Sequence, residues 1–190
     1  MRHFDALVVG CGAMGSSVSY NLAKKGMSVL TLERFGLNHE FGSSHGGTRI
    51  IRLAYYEDER YVPLLRRAFE SWRELEAMSG RKLLKMTGGL MVGRPEGELV
   101  SGVLRSAKKH NLPHQVLSPS AAEDRCQALT LGGSFSAVYE DNAGILFPEE
   151  CVQVVEARRE RGGECRIRCQ PIQDGLDRVP AKEELLLGEP

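Results

Sequence analysis

The stretch from Phe4 to Glu33, FDALVVGCGAMGSSVSYNLAKKGMSVLTLE, constrains the fold more than any other part of the chain. Phe4–Val9 is apolar and rich in strand formers, with Asp5 the one interruption, as expected for a strand buried on both faces. Gly10-Cys11-Gly12-Ala13-Met14-Gly15 follows, and then Val18, Leu22 and Ala23 at helical spacing. Lys24-Lys25-Gly26 gives that helix a cationic last turn and a glycine stop. Ser28–Leu32 is a second β-rich run, and it ends on Glu33.

Each part has a physical role. Gly10 permits a tight strand-to-helix turn, Gly12 leaves the backbone open to a diphosphate, and Gly15 lets the helix pack close to the strand. The helix N-terminus offers free N–H groups and the positive end of its dipole to phosphates. Glu33 lies 18 residues after Gly15, where a carboxylate can accept both hydroxyls of an adenosine ribose. A glutamate there repels a 2′-phosphate, which favours FAD or NAD over NADP. Gly10, Gly12, Ala13, Met14, Gly15, Glu33 and Arg34 are the cofactor-binding residues expected from this unit. A lone GxGxxG is weak evidence; here a strand precedes it, a helix follows, and an acid ends the next strand, all within about 30 residues.

Composition narrows the class. Lys plus Arg and Asp plus Glu are 25 each, so nothing pulls the chain as a whole toward nucleic acid or an anionic membrane. No apolar run approaches the roughly 18 residues that span a bilayer. A strand starting at Phe4 leaves no room for a signal peptide. The cysteines, Cys11, Cys126, Cys151, Cys165 and Cys169, are odd in number and form no CxxC, which reads as reduced thiols and no metal site.

Arg34–Gly47, RFGLNHEFGSSHGG, is a long irregular segment of the kind that is usually functional. It leads into Thr48-Arg49-Ile50-Ile51-Arg52, which reads as the start of a short helix with Thr48 as N-cap and with Arg49 and Arg52 on one face. Arg60–Ser79 carries a helical apolar stripe through Trp72 and stops at Gly80. Leu83–Val92 is strand-like around a Gly-Gly kink. Gly97–His110 is a second amphipathic helix, and Ser118-Pro119 opens a short helix to about Leu129. Phe135–Tyr139 and Gly144–Phe147 read as strands flanking the turn Asp141–Gly144. Pro148-Glu149-Glu150 opens a helix that reaches Gly162-Gly163, and Glu164–Cys169 reads as the next parallel strand.

FGSSHGGTRIIRLAY, with the FDALVVGCGAMG opening, resembles the family of monomeric sarcosine oxidase, N-methyltryptophan oxidase and the peroxisomal sarcosine/pipecolate oxidases, which are FAD-dependent amine oxidases. The chain keeps Gly42, Ser43, Ser44, His45, Gly46, Thr48, Arg49, Ile50, Ile51, Arg52, Ala54 and Tyr55 of the pattern GSSHGxTRIIRxAY. The resemblance implies that Ser43, Ser44 and Thr48 line the phosphate and ribityl side of FAD. It places His45 and Arg49 at the isoalloxazine ring and Arg52 on the substrate carboxylate. A guanidinium suits that last task because it binds a carboxylate with a two-pronged fork and keeps its charge.

The implied reaction oxidises a secondary or N-methyl amino acid to an imine, the hydride passing to the flavin and O2 being reduced to H2O2. The implied fold is α/β: a Rossmann-like, glutathione-reductase-type FAD-binding domain with part of an α+β substrate domain and the C-terminal half missing. The expected division is residues 1–83 and 143–170 for the incomplete FAD-binding domain and 84–142 for the partial substrate domain. Residues 171–190 form an unmatched tail, since the resemblance stops near Gln170.

None of the five cysteines, Cys11 included, has the glycine-rich surroundings of the family's flavin-attaching cysteine. A small-molecule amino-acid substrate, O2, a monomeric state and a cytoplasmic location are expected, without nucleic acid or membrane. The peroxisomal alternative lacks its Ser-Lys-Leu-like signal, because the chain ends Gly-Glu-Pro. Two other readings use the same βαβ opening. One is an NAD-dependent dehydrogenase, against which SSHGGTRIIR counts; the other is an inactive dinucleotide-binding fragment, which the missing half supports.

Overall fold

A computed structural model describes residues 3–35, 39–157 and 167–171 of the chain. They fall into two compact units, 1–47 with 147–190 and 48–146.

In the first unit, β1 (Ala6–Val9), α1 (Ala13–Lys24) and β2 (Val29–Glu33) form the expected βαβ opening. Their strands pair in parallel, Ala6 opposite Val29 and Val9 opposite Leu32. Asp5, the polar interruption, lies just ahead of β1. Its carboxylate accepts the amide and hydroxyl of Ser28, both at 2.7 Å, so it aligns the starts of the two strands. Inside, Ser19 of α1 and Thr31 of β2 share a buried hydroxyl–hydroxyl bond of 2.8 Å. The next parallel strand of the sheet, β9 (Ile167–Pro171), pairs with the other flank of β2, giving the order β1-β2-β9. Helix α5 (Pro148–Ala157) begins with proline and two acids, as expected. The expected end of that helix near Gly162-Gly163, the first residues of the strand at Glu164 and the tail from residue 172 lie outside the described residues.

One expectation about β1 is corrected. Ala6 and Val8 pack toward Ala23 and Val29, but Leu7 and Val9 remain 54% and 69% exposed. The strand is therefore not buried on both faces. It stands at the edge of the described sheet, whereas β2, in the middle, is buried along its whole length.

The second unit holds two antiparallel three-stranded sheets. Strands β3 (Arg49–Ile51), β8 (Gly144–Leu146) and β4 (Leu84–Met86) form one, in the order β3-β8-β4. Strands β5 (Gly89–Gly93), β7 (Ser136–Glu140) and β6 (Gln115–Leu117) form the other, in the order β5-β7-β6. Helix α2 (Val62–Ser79) ends on Gly80 in the left-handed conformation, φ +69°, the glycine stop the sequence indicates. Its Phe69 and Trp72 pack with Ile51 and Leu84, so the tryptophan belongs to the core. Helix α3 (Glu98–Lys109) inserts Val100, Val103 and Ala107 into a cluster with Val62, Met91 and Val138. Helix α4 (Pro119–Arg125), capped by the Ser118 hydroxyl, stops short of the expected Leu129.

Two further corrections concern this unit. Residues 48–52 do not start a helix: β3 pairs antiparallel with β8, Arg49 opposite Leu146, so Arg49 and Arg52 share no helix face and Thr48 caps nothing helical. The β-branched Ile50-Ile51 pair favours that outcome once a partner strand is present. The run 83–92 is not one kinked strand but two, β4 and β5, in different sheets. Gly88 at φ +69° makes the turn between them. Likewise β7 and β8 flank their turn without pairing with each other.

Candidate functional site: a nucleotide cradle and an arginine against two tyrosines

The first unit builds its cradle from the loop between β1 and α1. Gly10 adopts φ +89°, which only glycine takes readily, and its amide is bound by the carbonyl of Leu32 at 2.7 Å. At Gly15 there is no room for a side chain, because an added Cβ would run into the backbone of Gly10. At Gly12 an added Cβ would meet only the Ser44 hydroxyl, 2.9 Å away, so the backbone there faces open space and one movable side chain. Gly12 is the N-cap of α1 and gives it no side-chain cap. Among the described residues, the amides of Met14 and Gly15 donate to no protein group. They are the free donors at a helix N-terminus that a phosphate can accept.

Around this loop lies a cleft lined by Cys11, Gly12, Ser44 and His45, with His39 and Glu149. Ser44 accepts the Ala13 amide at 2.9 Å, which ties the GSSH segment to the start of α1. The His45 ring meets the Gly42 carbonyl at 2.6 Å, and Ser43 is exposed in the same segment. Glu149, the first-turn acid of α5, accepts the Gly46 amide at 2.9 Å and fixes the far end of that segment.

Glu33 is 6% exposed at the end of β2. It accepts the Cys11 amide at 2.7 Å and the Phe35 amide at 3.2 Å, and lies 3.3 Å from His39. Burial pushes its carboxyl up, but the amides of Cys11, Phe35 and Arg34 and the charge of His39 outweigh burial and hold it below its ordinary value. An ionised acceptor thus stands at the strand end beside the glycine loop, as a ribose-binding acid must. Arg34 is exposed, its guanidinium 5.0 Å from the Phe35 ring. Met14 is 82% exposed.

The remaining predicted residues, Thr48, Arg49 and Arg52, belong to the second unit. Arg49 is exposed on β3 and donates to the Thr48 carbonyl at 2.8 Å. Arg52 is held more closely. Its guanidinium lies 4.6 Å from the centre of the Tyr55 ring and 5.7 Å from that of Tyr56. One terminal nitrogen reaches both carboxylate oxygens of Glu57, at 3.1 and 3.2 Å. Its Nε is buried and has no hydrogen-bond partner.

Sequence reasoning did not single out His39, Glu57 or Glu149. Glu57 and His39 lie only five and six residues from Arg52 and Glu33, within irregular segments that carry no helix or strand period to place them, and Glu149 reaches Gly46 from 103 positions away. Cys11 and Cys151 are buried and Cys126 is half-buried.

A parallel βαβ unit with open amides at its glycine loop and an ionised acid ending its second strand defines a dinucleotide-binding protein. The family model for FAD dependent oxidoreductases matches residues 5–184, and the chain belongs to that family. The match runs past Gln170, where the resemblance was expected to stop. Monomeric sarcosine oxidase of Streptomyces avermitilis is 40% identical over 179 residues, which is 91% of this chain and 47% of that protein. N-methyl-L-tryptophan oxidase of Yersinia pestis is 34% identical over 182 residues, 93% of this chain and 49% of that protein. The chain therefore spans about half the length of the curated relatives it matches.

Among solved structures, NikD, an amino acid oxidase of nikkomycin biosynthesis, gives a TM-score of 0.76 at 23% identity, covering 90% of this chain and 44% of its own. L-proline dehydrogenase from P. horikoshii gives 0.72 at 22% identity, with the same coverage. These likenesses show the α/β fold. FAD is the family's cofactor, and the open glycine loop fits its diphosphate. No helix among the described residues is long and apolar enough to cross a membrane.

Proposed function

We propose that this chain supplies the FAD-holding and carboxylate-binding part of an amine oxidase of the sarcosine oxidase type. Its substrate is a secondary or N-methyl amino acid, oxidised to an imine while O2 is reduced to H2O2. FAD, when bound, supplies the two-electron acceptor for the carbon beside the substrate nitrogen.

The chain's own residues bind and orient. Met14 and Gly15 present open backbone amides to the diphosphate, Gly12 and Ala13 form the loop against it, Ser43, Ser44 and Thr48 line the phosphate and ribityl side, and Glu33 accepts the ribose hydroxyls. Gly10 makes the turn, and Arg34 flanks the adenosine. Arg49 places a fixed positive charge beside the ring where negative charge develops, and His45 positions the amine. Arg52 anchors the substrate carboxylate.

One observation carries the amino-acid specificity. Arg52 already grips a carboxylate, that of Glu57, yet leaves its buried Nε–H without an acceptor. A buried unpaired donor is costly, and a second carboxylate is the group that satisfies it best.

The test is to mix the purified chain with FAD, desalt it, and record absorbance before and after adding N-methylglycine. Retained flavin together with peroxide production from N-methylglycine, absent with dimethylamine, is the expected result. Retained flavin without peroxide would favour a dinucleotide-binding chain with no catalysis. A colourless protein that binds NAD instead would overturn the assignment.

A further inference from the structure

We infer that Glu140 is a positioning residue for Arg52, holding the backbone that aims its guanidinium at a substrate carboxylate. The inference rests on the reading of Arg52 given above and adds to it a residue more than eighty positions away in the chain.

Glu140 ends β7 opposite Gly89 of β5 and is 1% exposed. Its two carboxylate oxygens accept two consecutive amides, Leu53 at 2.7 Å and Ala54 at 2.8 Å. Those are the two peptide groups immediately after Arg52. A carboxylate suits the arrangement. Two converging N–H donors need two acceptor oxygens, and a glutamine would offer one oxygen and one NH2 group that opposes the second amide.

The opposite side of the segment is fixed by α3. Ser106 donates its hydroxyl to the Tyr55 carbonyl, and Arg105 reaches the Tyr56 carbonyl at 3.4 Å. Gly102 lies so close to that carbonyl that a Cβ there would collide with the Tyr56 backbone. Residues 53–56 are thus clamped between a buried anion and a helix. The rings of Tyr55 and Tyr56, against which the Arg52 guanidinium lies, ride on this clamped backbone.

A buried carboxylate is an expensive way to bind two amides. Burial raises the Glu140 carboxyl above its ordinary value; the two amides and the charges of Arg52 and His114 oppose that rise without cancelling it. Arg52 thus favours the anion, and the anion in turn favours Arg52 where it stands. Loss of the Glu140 charge should therefore be felt at the guanidinium as well as at the two amides.

The experiment uses the full chain, 15N-labelled and mixed with FAD, with the Arg52 Nε–H resonance assigned by its disappearance in Arg52→Lys. In the wild type that resonance should exchange slowly with water and shift as N-methylglycine is added. Glu140→Gln should speed its exchange about tenfold and weaken the N-methylglycine response by a similar factor, with FAD retention and amide protection in α2 and α3 unchanged. If Glu140→Gln does not fold, Glu140→Asp, which keeps both acceptors on a shorter stem, is read the same way and should show a smaller effect of the same kind.

An Arg52 signal with wild-type exchange and response in the folded variant overturns the positioning role. So does a loss that Arg52 shares equally with the amides of α2 and α3, which is what a merely structural residue would give. A wild-type Arg52 signal indifferent to N-methylglycine overturns the carboxylate reading of Arg52 instead, and the exchange rate alone then decides the case of Glu140.

Discussion

The carboxylate of Glu33 reaches back from the end of β2 to accept the amide of Cys11 at 2.7 Å, inside the glycine loop that follows β1. One group thus braces the loop and, in the proposed reading, also accepts the ribose hydroxyls. The hydrogen bond to Cys11 is charge-assisted, and the ribose hydroxyls would add charge-assisted bonds of their own.

Glu33→Gln should therefore weaken FAD binding more than it weakens the fold. Hydrogen bonds to a charged group contribute about 1.5–3 kcal/mol, so the FAD dissociation constant should rise about ten- to a hundredfold. Titration of flavin fluorescence against wild-type and variant protein checks this. Equal affinities would show that Glu33 braces the loop without touching the ribose.

Gly12 and Gly15 should fail in different ways when changed to alanine. At Gly15 the new methyl meets rigid backbone at Gly10, so α1 must shift off the sheet, with an overpacking cost of about 1–3 kcal/mol and a lowered melting temperature. At Gly12 it meets the Ser44 hydroxyl, which can rotate away at the cost of its one bond to the Ala13 amide. Gly12→Ala should melt within a few degrees of wild type and still lose FAD, because the methyl occupies the space into which the diphosphate would come. Thermal denaturation paired with flavin titration separates the two.

This opening was legible because its signals are local. The glycine spacing, the apolar run of β1 and the acid after β2 all fall within Phe4–Glu33, and strand and helix periods can be read there without knowing any distant partner. The segment Thr48–Arg52 defies a local reading for the opposite reason. Its strand state depends on Gly144–Leu146, which lie far along the chain and supply the pairing that a local reading cannot see. The same holds for Glu140, which looks like an ordinary polar end to β7 until Leu53 and Ala54, 87 and 86 positions away, arrive at its oxygens. The exposure of Leu7 and Val9 was equally unreadable, since sequence reports that a strand is apolar and not how many neighbours it has.

The stability profile should answer to one glutamate below pH 4.5 and to another above it. The Glu33 pKa is lowered from 4.5 in the fold, so its contribution is present above 4.5 and is lost as pH falls through the lower folded value. The Glu140 pKa is raised from 4.5, so its contribution is fully present below 4.5 and is lost as pH rises through the higher folded value. Urea melts at stepped pH should show Glu33→Gln flattening the acid-side loss and Glu140→Gln flattening the loss above pH 4.5. The slopes against pH carry the test, because each substitution also changes the absolute stability.

Neighbouring residues of β1 should respond unequally to the same polar substitution. Val8 packs toward Ala23 and Val29, whereas Val9 is 69% exposed beside a sheet edge that no other described strand covers. Threonine keeps the β-branched shape and replaces a methyl with a hydroxyl, so the two sites differ only in what that hydroxyl meets. At Val8 it enters an apolar cluster and should cost about 1–2 kcal/mol. At Val9 it meets water, should change stability by less than about 0.5 kcal/mol, and should reduce the binding of a hydrophobic dye and any association that grows with concentration. Urea melts and dye fluorescence on the two variants give the comparison. If Val9→Thr cost as much as Val8→Thr, that edge of β1 would have to be covered by another segment in solution, and the open flank beside the nucleotide cradle would be withdrawn.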